Sequence, residues 1–344
     1  YTQASPRPGV PEDQNTPRSA MTFVTSGTQS ASKELRIQAH RGGYPGIDSR
    51  GAGLIWLEEG DTEWRGWDVP NQPTGFEFLS FVSNAVTTES QSPNVIKLIN
   101  GTILACFRYA ATGAGDDVVR VYSMTPGSAW ALSASVTPTV QHPDLYPVML
   151  QLPDESVLLF CWVTDTILLT AQLQVYRSTD NGATWAVASR FALVEAIDQS
   201  ASGAGSTGFD LGRMSVAYSN GQICLAAQLD SRDTGKTNAE VIYQWASDDE
   251  GASFSLVTGW VADTANGKRP QLVSNLTSGV RLVYIDPVDG GLYTISIGSA
   301  FAALDVANET EITQPDKGVG LDNMALWRDD DSTLYLLFNQ PTGN

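Results

Sequence analysis

Histidine, cysteine and lysine are scarce in this 344-residue chain, with two, three and five copies respectively. His40 and His142 stand far apart, which leaves a histidine-based metal centre or a Ser-His-Asp triad little to build on. Cys106, Cys161 and Cys224 fall in stretches that read as strands, where buried free thiols are expected rather than bridges. The 20 basic residues face 38 acidic ones, giving a formal charge of -18, and a surface without clustered Lys and Arg does not release counterions from nucleic acid. That acidity reads as solubility in a salty or extracellular setting, with an acidic patch for a cationic ligand as the alternative. No apolar run approaches membrane-spanning length. No glycine-rich phosphate loop follows a strand and opens a helix, and Asp329-Asp330-Asp331 reads as a turn rather than a calcium loop. Neither a cofactor nor a metal is therefore assigned. Helix caps followed by long runs of 3.6-residue period are missing too, whereas short alternating strands bounded by Asn-Gly, Asp-Gly and Pro recur throughout, the pattern of an all-β chain.

What the chain does have is a repeated corner. Ser178-Thr-Asp180-Asn-Gly182-Ala-Thr-Trp185 lies between two apolar runs and has the makings of a self-fastened turn. Ser178 and Asp180 can bond turn backbone, Gly182 supplies a positive φ, and Trp185 turns its ring into a core. Ser247, Asp249, Gly251 and Phe254 keep the same offsets. Two eroded copies follow the frame: Ser123, Gly127 and Trp130 with Thr125 at the acid position, and Thr294, Gly298 and Phe301 with Ser296 there. The corners stand 47 to 69 residues apart, within and somewhat beyond the period of a four-stranded propeller blade.

Residues 1–35 are rich in Pro, Ser, Thr and Gln and are too polar and too broken to form a packed element. They are expected to be an extended arm that lies on its own domain or on other subunits of an assembly. Tyr1 opens no signal-peptide pattern, as in a processed chain or an excerpt from a longer one. Residues 36–344 are expected to form the propeller. Five sheets open at Pro93, Pro147, Arg213, Pro270 and Met324, the last stopping after two strands, and the stretch 36–85 either supplies its missing outer strands or adds a further sheet. Five or six blades follow from that choice.

With these corners the chain resembles the sialidase-like propellers that carry bacterial-neuraminidase, or Asp-box, repeats, over roughly residues 90–310. Enzymes of that family open their first blade with an Arg-Ile-Pro-like motif whose arginine joins two others on a substrate carboxylate. Gln91-Ser92-Pro93 stands there in this chain, and the arginine is missing. The family's general acid falls in the loop after the second strand of that blade, where Asp116 and Asp117 are found. Its nucleophile is a tyrosine activated by a glutamate; Glu240 and Tyr243, three residues apart on one strand, point to opposite faces and make a poor pair.

A ligand is expected at the mouth of the central channel, on the side where the innermost strands start. Arg213, Arg269 and Tyr146 are the leading candidates, with Tyr109 and Asp210 nearby: two arginines at neighbouring mouths grip an acidic sugar above an aromatic ring. The alternative is that Arg213 pairs with Asp210 and Arg269 with Asp286. Functionally these features point to a propeller without catalysis, a recognition or structural module of an extracellular or virion assembly that binds a surface glycan. The alternative is an active exo-glycosidase acting on an acidic sugar.

Overall fold

The structure, a computed structural model, describes residues 94–109, 118–125, 128, 131–137, 147–165, 170–192, 210–230, 240–259, 268–274, 279–286, 290–302 and 309–312, and the backbone of six strands outside that span. All regular elements among the described residues are strands. They form antiparallel sheets in which sequence neighbours pair. The first holds β1 (Ser32–Ala39), β2 (Ala52–Glu58), β3 (Glu63–Val69) and β4 (Glu77–Val82). The second holds β5 (Asn94–Lys97), β6 (Ile103–Tyr109), β7 (Val118–Met124) and β8 (Ala131–Val136). The third is β9 (Val148–Gln151), β10 (Val157–Asp165), β11 (Thr170–Ser178) and β12 (Ala186–Ala192). The fourth is β13 (Asp210–Ser219), β14 (Gln222–Asp230), β15 (Glu240–Ser247) and β16 (Ser255–Gly259). The fifth is β17 (Lys268–Ser274), β18 (Val280–Ile285), β19 (Leu292–Ile297) and β20 (Thr310–Ile312), and the sixth pairs β21 (Asn323–Arg328) with β22 (Leu334–Asn339).

The first strands touch in a closed order: β1 meets β5, β5 meets β9, and so on through β13, β17 and β21, which returns to β1. The six sheets thus succeed one another around a common centre with their first strands innermost. The N-terminal strands β1–β4 make a sheet of their own and supply no strand to the β21-β22 pair, which is two-stranded among the described residues. The first four residues of β1 fall within the stretch 1–35, and residues 1–31 lie outside the described residues.

Burial follows the radial position. Val157–Val163 of β10 is buried at every residue, because a second strand has a neighbouring sheet against each face. The third strand β7 mixes buried and half-buried residues, and the outer β8 keeps a single buried residue, Val136. The cores lie between sheets. Leu104, Cys106 and Val121 pack against Leu159 and Cys161; Phe160 and Trp162 pack against Leu225 and Trp245; Cys224 and Ile242 pack against Leu282 and Tyr284. An innermost strand has a hydrogen-bonded neighbour on one side only, so its other edge must be satisfied sideways. Asn94 Oδ1 accepts the Met149 N–H and Ser215 Oγ accepts the Leu272 N–H, each at 2.9 Å, from one sheet to the next.

The two intact corners are superimposable in their bonding. Ser178 Oγ donates to Asp180 Oδ1 at 2.8 Å and accepts the Gly182 N–H at 2.8 Å, while Asp180 takes the Thr184 N–H at 2.8 Å and the Thr184 hydroxyl at 2.5 Å. Ser247, Asp249, Gly251 and Ser253 repeat all four at 2.6–2.9 Å. Two successive residues are left-handed in each, Asn181 with Gly182 and Glu250 with Gly251. Each corner also joins two sheets. Gly182 packs on Leu104 and its carbonyl accepts Ser133 Oγ at 3.1 Å, whereas Gly251 packs on Leu158 and accepts Ser189 Oγ at 2.9 Å. Trp185 Nε1 caps the Gly182 carbonyl as well, and Phe254 meets Phe160 edge to face at 5.7 Å. Above this joint Arg177 bridges Asp154 of its own sheet, at 2.5 Å, to Glu250 of the next corner, at 3.1 Å.

The eroded copies do not occupy those places. Leu158 pairs with Arg177, the residue before Ser178, and its counterpart Leu104 pairs with Ser123, so Met124 stands where the serine should be. Gly127 and Trp130 lie outside the described residues. Thr294 sits inside β19, three residues before the strand's end at Ile297, and gives its hydroxyl to the Leu282 carbonyl at 3.0 Å. Ser296 accepts from Arg281 at 3.1 Å, and Phe301 is exposed. The turn after β19 is fastened from the sheet before it, by Gln222 Oε1 bonding Ser299 Oγ and the Ala300 N–H at 2.9 and 3.1 Å.

Candidate functional site

Two adjacent first strands, β13 and β17, carry irregularities near their starts that regular pairing does not require. In β13 the register jumps between Leu211 and Met214, so Gly212 and Arg213 stand opposite the single residue Gln228. In β17 it jumps between Lys268 and Gln271, so Arg269 and Pro270 stand opposite Tyr284. Such bulges bend a strand and re-aim its side chains. Arg213 lies five residues before Tyr218, which pairs with Ile223, and Arg269 lies five residues before Ser274, which pairs with Val280. The two arginines thus share a position on adjacent innermost strands, since β13 and β17 are in contact.

Arg269 is half-buried and has φ 56, in the left-handed region that branched and long side chains rarely adopt. Its N–H donates to Gln228 Oε1 at 2.7 Å, from the residue facing the other bulge. Gln228 is buried. Sequence reasoning missed it, because nothing local distinguishes it from the apolar run around it. Opposite the second bulge, the Tyr284 hydroxyl donates to Glu309 and its ring stacks on Tyr293 with centroids 5.9 Å apart. Burial, then the Glu309 carboxylate, pushes the Tyr284 phenol far up.

The remaining candidates are placed unevenly. Tyr109 ends β6, and Asp210 opens β13 opposite Asp230; for these and for Arg213 the backbone alone is described. Asp116, Asp117 and Tyr146 lie outside the described residues, as does Gln91-Ser92-Pro93. A second strand ends where the first of its sheet starts, so Tyr109, Asp210, Arg213 and Arg269 belong to one end of their sheets. The corners at Ser178–Trp185 and Ser247–Phe254 follow third strands and belong to the other end. Tyr243 stacks on Trp245 at 5.9 Å and its phenol is pushed up by burial, while Glu240 pairs with Asp230 three positions along the strand. Asp286 begins the β18–β19 turn, giving its N–H to the Gly291 carbonyl at 2.9 Å. Among the described residues no group of three or more His, Cys, Asp or Glu is placed to hold a metal ion, and no helix is long and apolar enough to cross a membrane.

Solved structures share this arrangement of sheets. A protein of unknown function from Dyadobacter fermentans superposes with TM-score 0.55 at 14% identity, over 91% of this chain and 95% of its own. The Penicillium chrysogenum alpha-L-arabinanase complexed with arabinobiose gives 0.53 at 16% identity, over 72% and 74%. The Trypanosoma rangeli sialidase in complex with sialic acid gives 0.51 at 13% identity, over 85% of this chain and 50% of the sialidase. The fold is a β-propeller. No protein-family model and no curated protein matches the sequence. In propeller terms the paired bulges stand at the inner ends of two neighbouring blades, where first strands border the central channel.

Proposed function

We propose that this chain is a six-bladed, sialidase-like propeller that binds an acidic glycan without hydrolysing it, as a recognition or structural module of an extracellular or virion assembly. The corners at Ser178–Trp185 and Ser247–Phe254 are its Asp boxes, and they join blades at the end away from the ligand. The carrying observation is the pair of bulges that brings Arg213 and Arg269 to one position on adjacent innermost strands. Two guanidinium groups carried on neighbouring strands suit a sugar carboxylate, which an arginine can meet with two parallel hydrogen bonds. The Gln91-Ser92-Pro93 sequence offers no third cation where the sialidases have one, so the three-arginine clamp that those enzymes close on a substrate carboxylate is incomplete here. Tyr146 and Tyr109 supply the aromatic floor, and residues 1–31 the contact to other subunits.

The second reading is an exo-glycosidase with Asp116 or Asp117 as general acid. It is favoured by the arabinanase and sialidase, both of which hold a sugar in structures of this fold. A glycan array carrying sialylated, uronic-acid and neutral arabinose oligomers, run beside hydrolysis of fluorogenic sialoside and arabinofuranoside, separates the two. Binding confined to acidic glycans with no hydrolysis supports the module. Hydrolysis lost in Asp117→Ala or Asp116→Ala establishes the enzyme. Silence in both assays removes the carbohydrate role altogether.

A further inference from the structure

We propose that Gln228 is the positioning residue of the arginine pair, tethering the two bulges so that they keep one spacing; as a statement about ligand binding this rests on the reading above. Gln228 stands alone opposite Gly212 and Arg213 in its own blade, and its Oε1 accepts the Arg269 N–H of the next blade at 2.7 Å. One residue therefore stands opposite one bulge while its buried side chain holds the backbone of the other. The held backbone needs holding. Arg269 adopts φ 56 directly before Pro270, and a residue before proline is normally driven to extended conformations by the ring. The neighbouring sideways bond, Ser215 Oγ to the Leu272 N–H, fixes the same two strands deeper in the channel, and the Gln228 bond ties them at the second bulge.

The test uses the full chain with Gln228→Leu, which deletes the acceptor, and Gln228→Glu, which keeps one and adds a negative charge. Hydrogen exchange is followed on the peptides spanning Asp210–Met214 and Lys268–Leu272, with β10 as the internal reference. Affinity is measured for 3′-sialyllactose and for trigalacturonate. In Gln228→Leu both peptides are expected to exchange at least tenfold faster with β10 unchanged, and the affinity of whichever probe binds to fall tenfold or more. Gln228→Glu is expected to restore protection at Arg269 but not the affinity, because its charge opposes the ligand carboxylate. Faster exchange at the Arg269 peptide alone overturns the tether, and so does no change in either. If Gln228→Leu does not fold, Gln228→Asn, with the same amide on a shorter stem, is read by the same two outcomes. Wild-type protein that binds neither probe overturns the glycan reading, and the exchange data then decide the tether alone. Binding abolished by Arg213→Ala and Arg269→Ala but unchanged in Gln228→Leu keeps that reading and overturns the tether.

Discussion

Ser189 of the third blade gives its hydroxyl to the Gly251 carbonyl of the fourth at 2.9 Å, and beneath that bond a Cβ on Gly251 would stand 2.7 Å from Leu158 Cδ1. The corner is therefore a joint between blades as much as a turn within one. Gly251 also has φ 87, which L side chains rarely adopt. Gly251→Ala is expected to cost about 2–4 kcal/mol, the sum of a left-handed backbone and an overfilled core. Gly182→Ala, 2.9 Å from Leu104, should behave alike. Gly221 has φ 82 but nothing within 4 Å of its would-be Cβ, so Gly221→Ala should lose only the backbone part, about 1 kcal/mol. Urea unfolding of the three variants checks the order; equal losses would show that the packing against the preceding blade contributes nothing.

Acid should loosen the same joints. The Thr184 hydroxyl and amide hold the Asp180 carboxyl below its usual range. At Asp249 partial burial works upward but is outweighed by the bonds from Ser253 and Ser247, and at Asp154 by those from Ser156 and Arg177. A carboxyl depressed in the folded state contributes stability above its unfolded value, about 4, and loses it as pH falls through the folded one. Melting temperature is expected to be level from neutral pH to about pH 5 and to drop below pH 4. Asp180→Asn and Asp249→Asn should melt lower at pH 7 with a shallower acid slope, and parallel slopes would count against the corners as the acid-sensitive element.

What could be read from the sequence was what is local. Ser178 and Asp180 fasten a turn within seven residues, so their offsets alone marked the corner, and the strand openings expected at Pro93, Pro147, Arg213, Pro270 and Met324 lie within three residues of the starts of β5, β9, β13, β17 and β21. The corner after β7 is fastened locally, but by Thr125 with Ser128 rather than by a serine and an acid in that frame. The corner after β19 misled because its fastening is not local: Gln222 of the preceding blade closes the turn at Ser299 from 77 residues away, so the frame drawn through Thr294 matched spacing without matching place. Gln228 escaped for the same reason, its partner Arg269 being 41 residues on. Whether β1–β4 pair with one another or with β21-β22 depends on strand partners that alternating apolar residues do not encode.

The three thiols should be inert in the folded protein. Cys106, Cys161 and Cys224 are free and buried, and burial pushes the Cys161 and Cys224 thiols up to about 12 and Cys106 further. Since the thiolate is the reactive form, a disulfide reagent at pH 8 is expected to label none of them natively and all three in denaturant. Native labelling at a rate that follows the protein's unfolding is consistent with this; labelling faster than unfolding would place a thiol at an accessible surface.

The arginine pair makes the sharpest demand on charge. If Arg213 and Arg269 share one carboxylate, removing either leaves the other facing it alone, and a lost hydrogen bond to a charged group costs about 1.5–3 kcal/mol, or roughly ten- to a hundredfold in affinity. The double variant should then depart from the sum of the two single losses, because two groups that share one partner are coupled. Replacement by lysine should recover little, since an ammonium keeps the charge but not the planar fork that meets both carboxylate oxygens. A neutral glycan of the same length should be indifferent to all of these changes. Titration of the single, double and lysine variants with one acidic and one neutral ligand distinguishes this from a rim in which each arginine is spent on its neighbouring aspartate: there Asp210→Asn and Asp286→Asn would weaken the fold, and Arg213→Ala and Arg269→Ala would leave the affinity for the acidic ligand where it was.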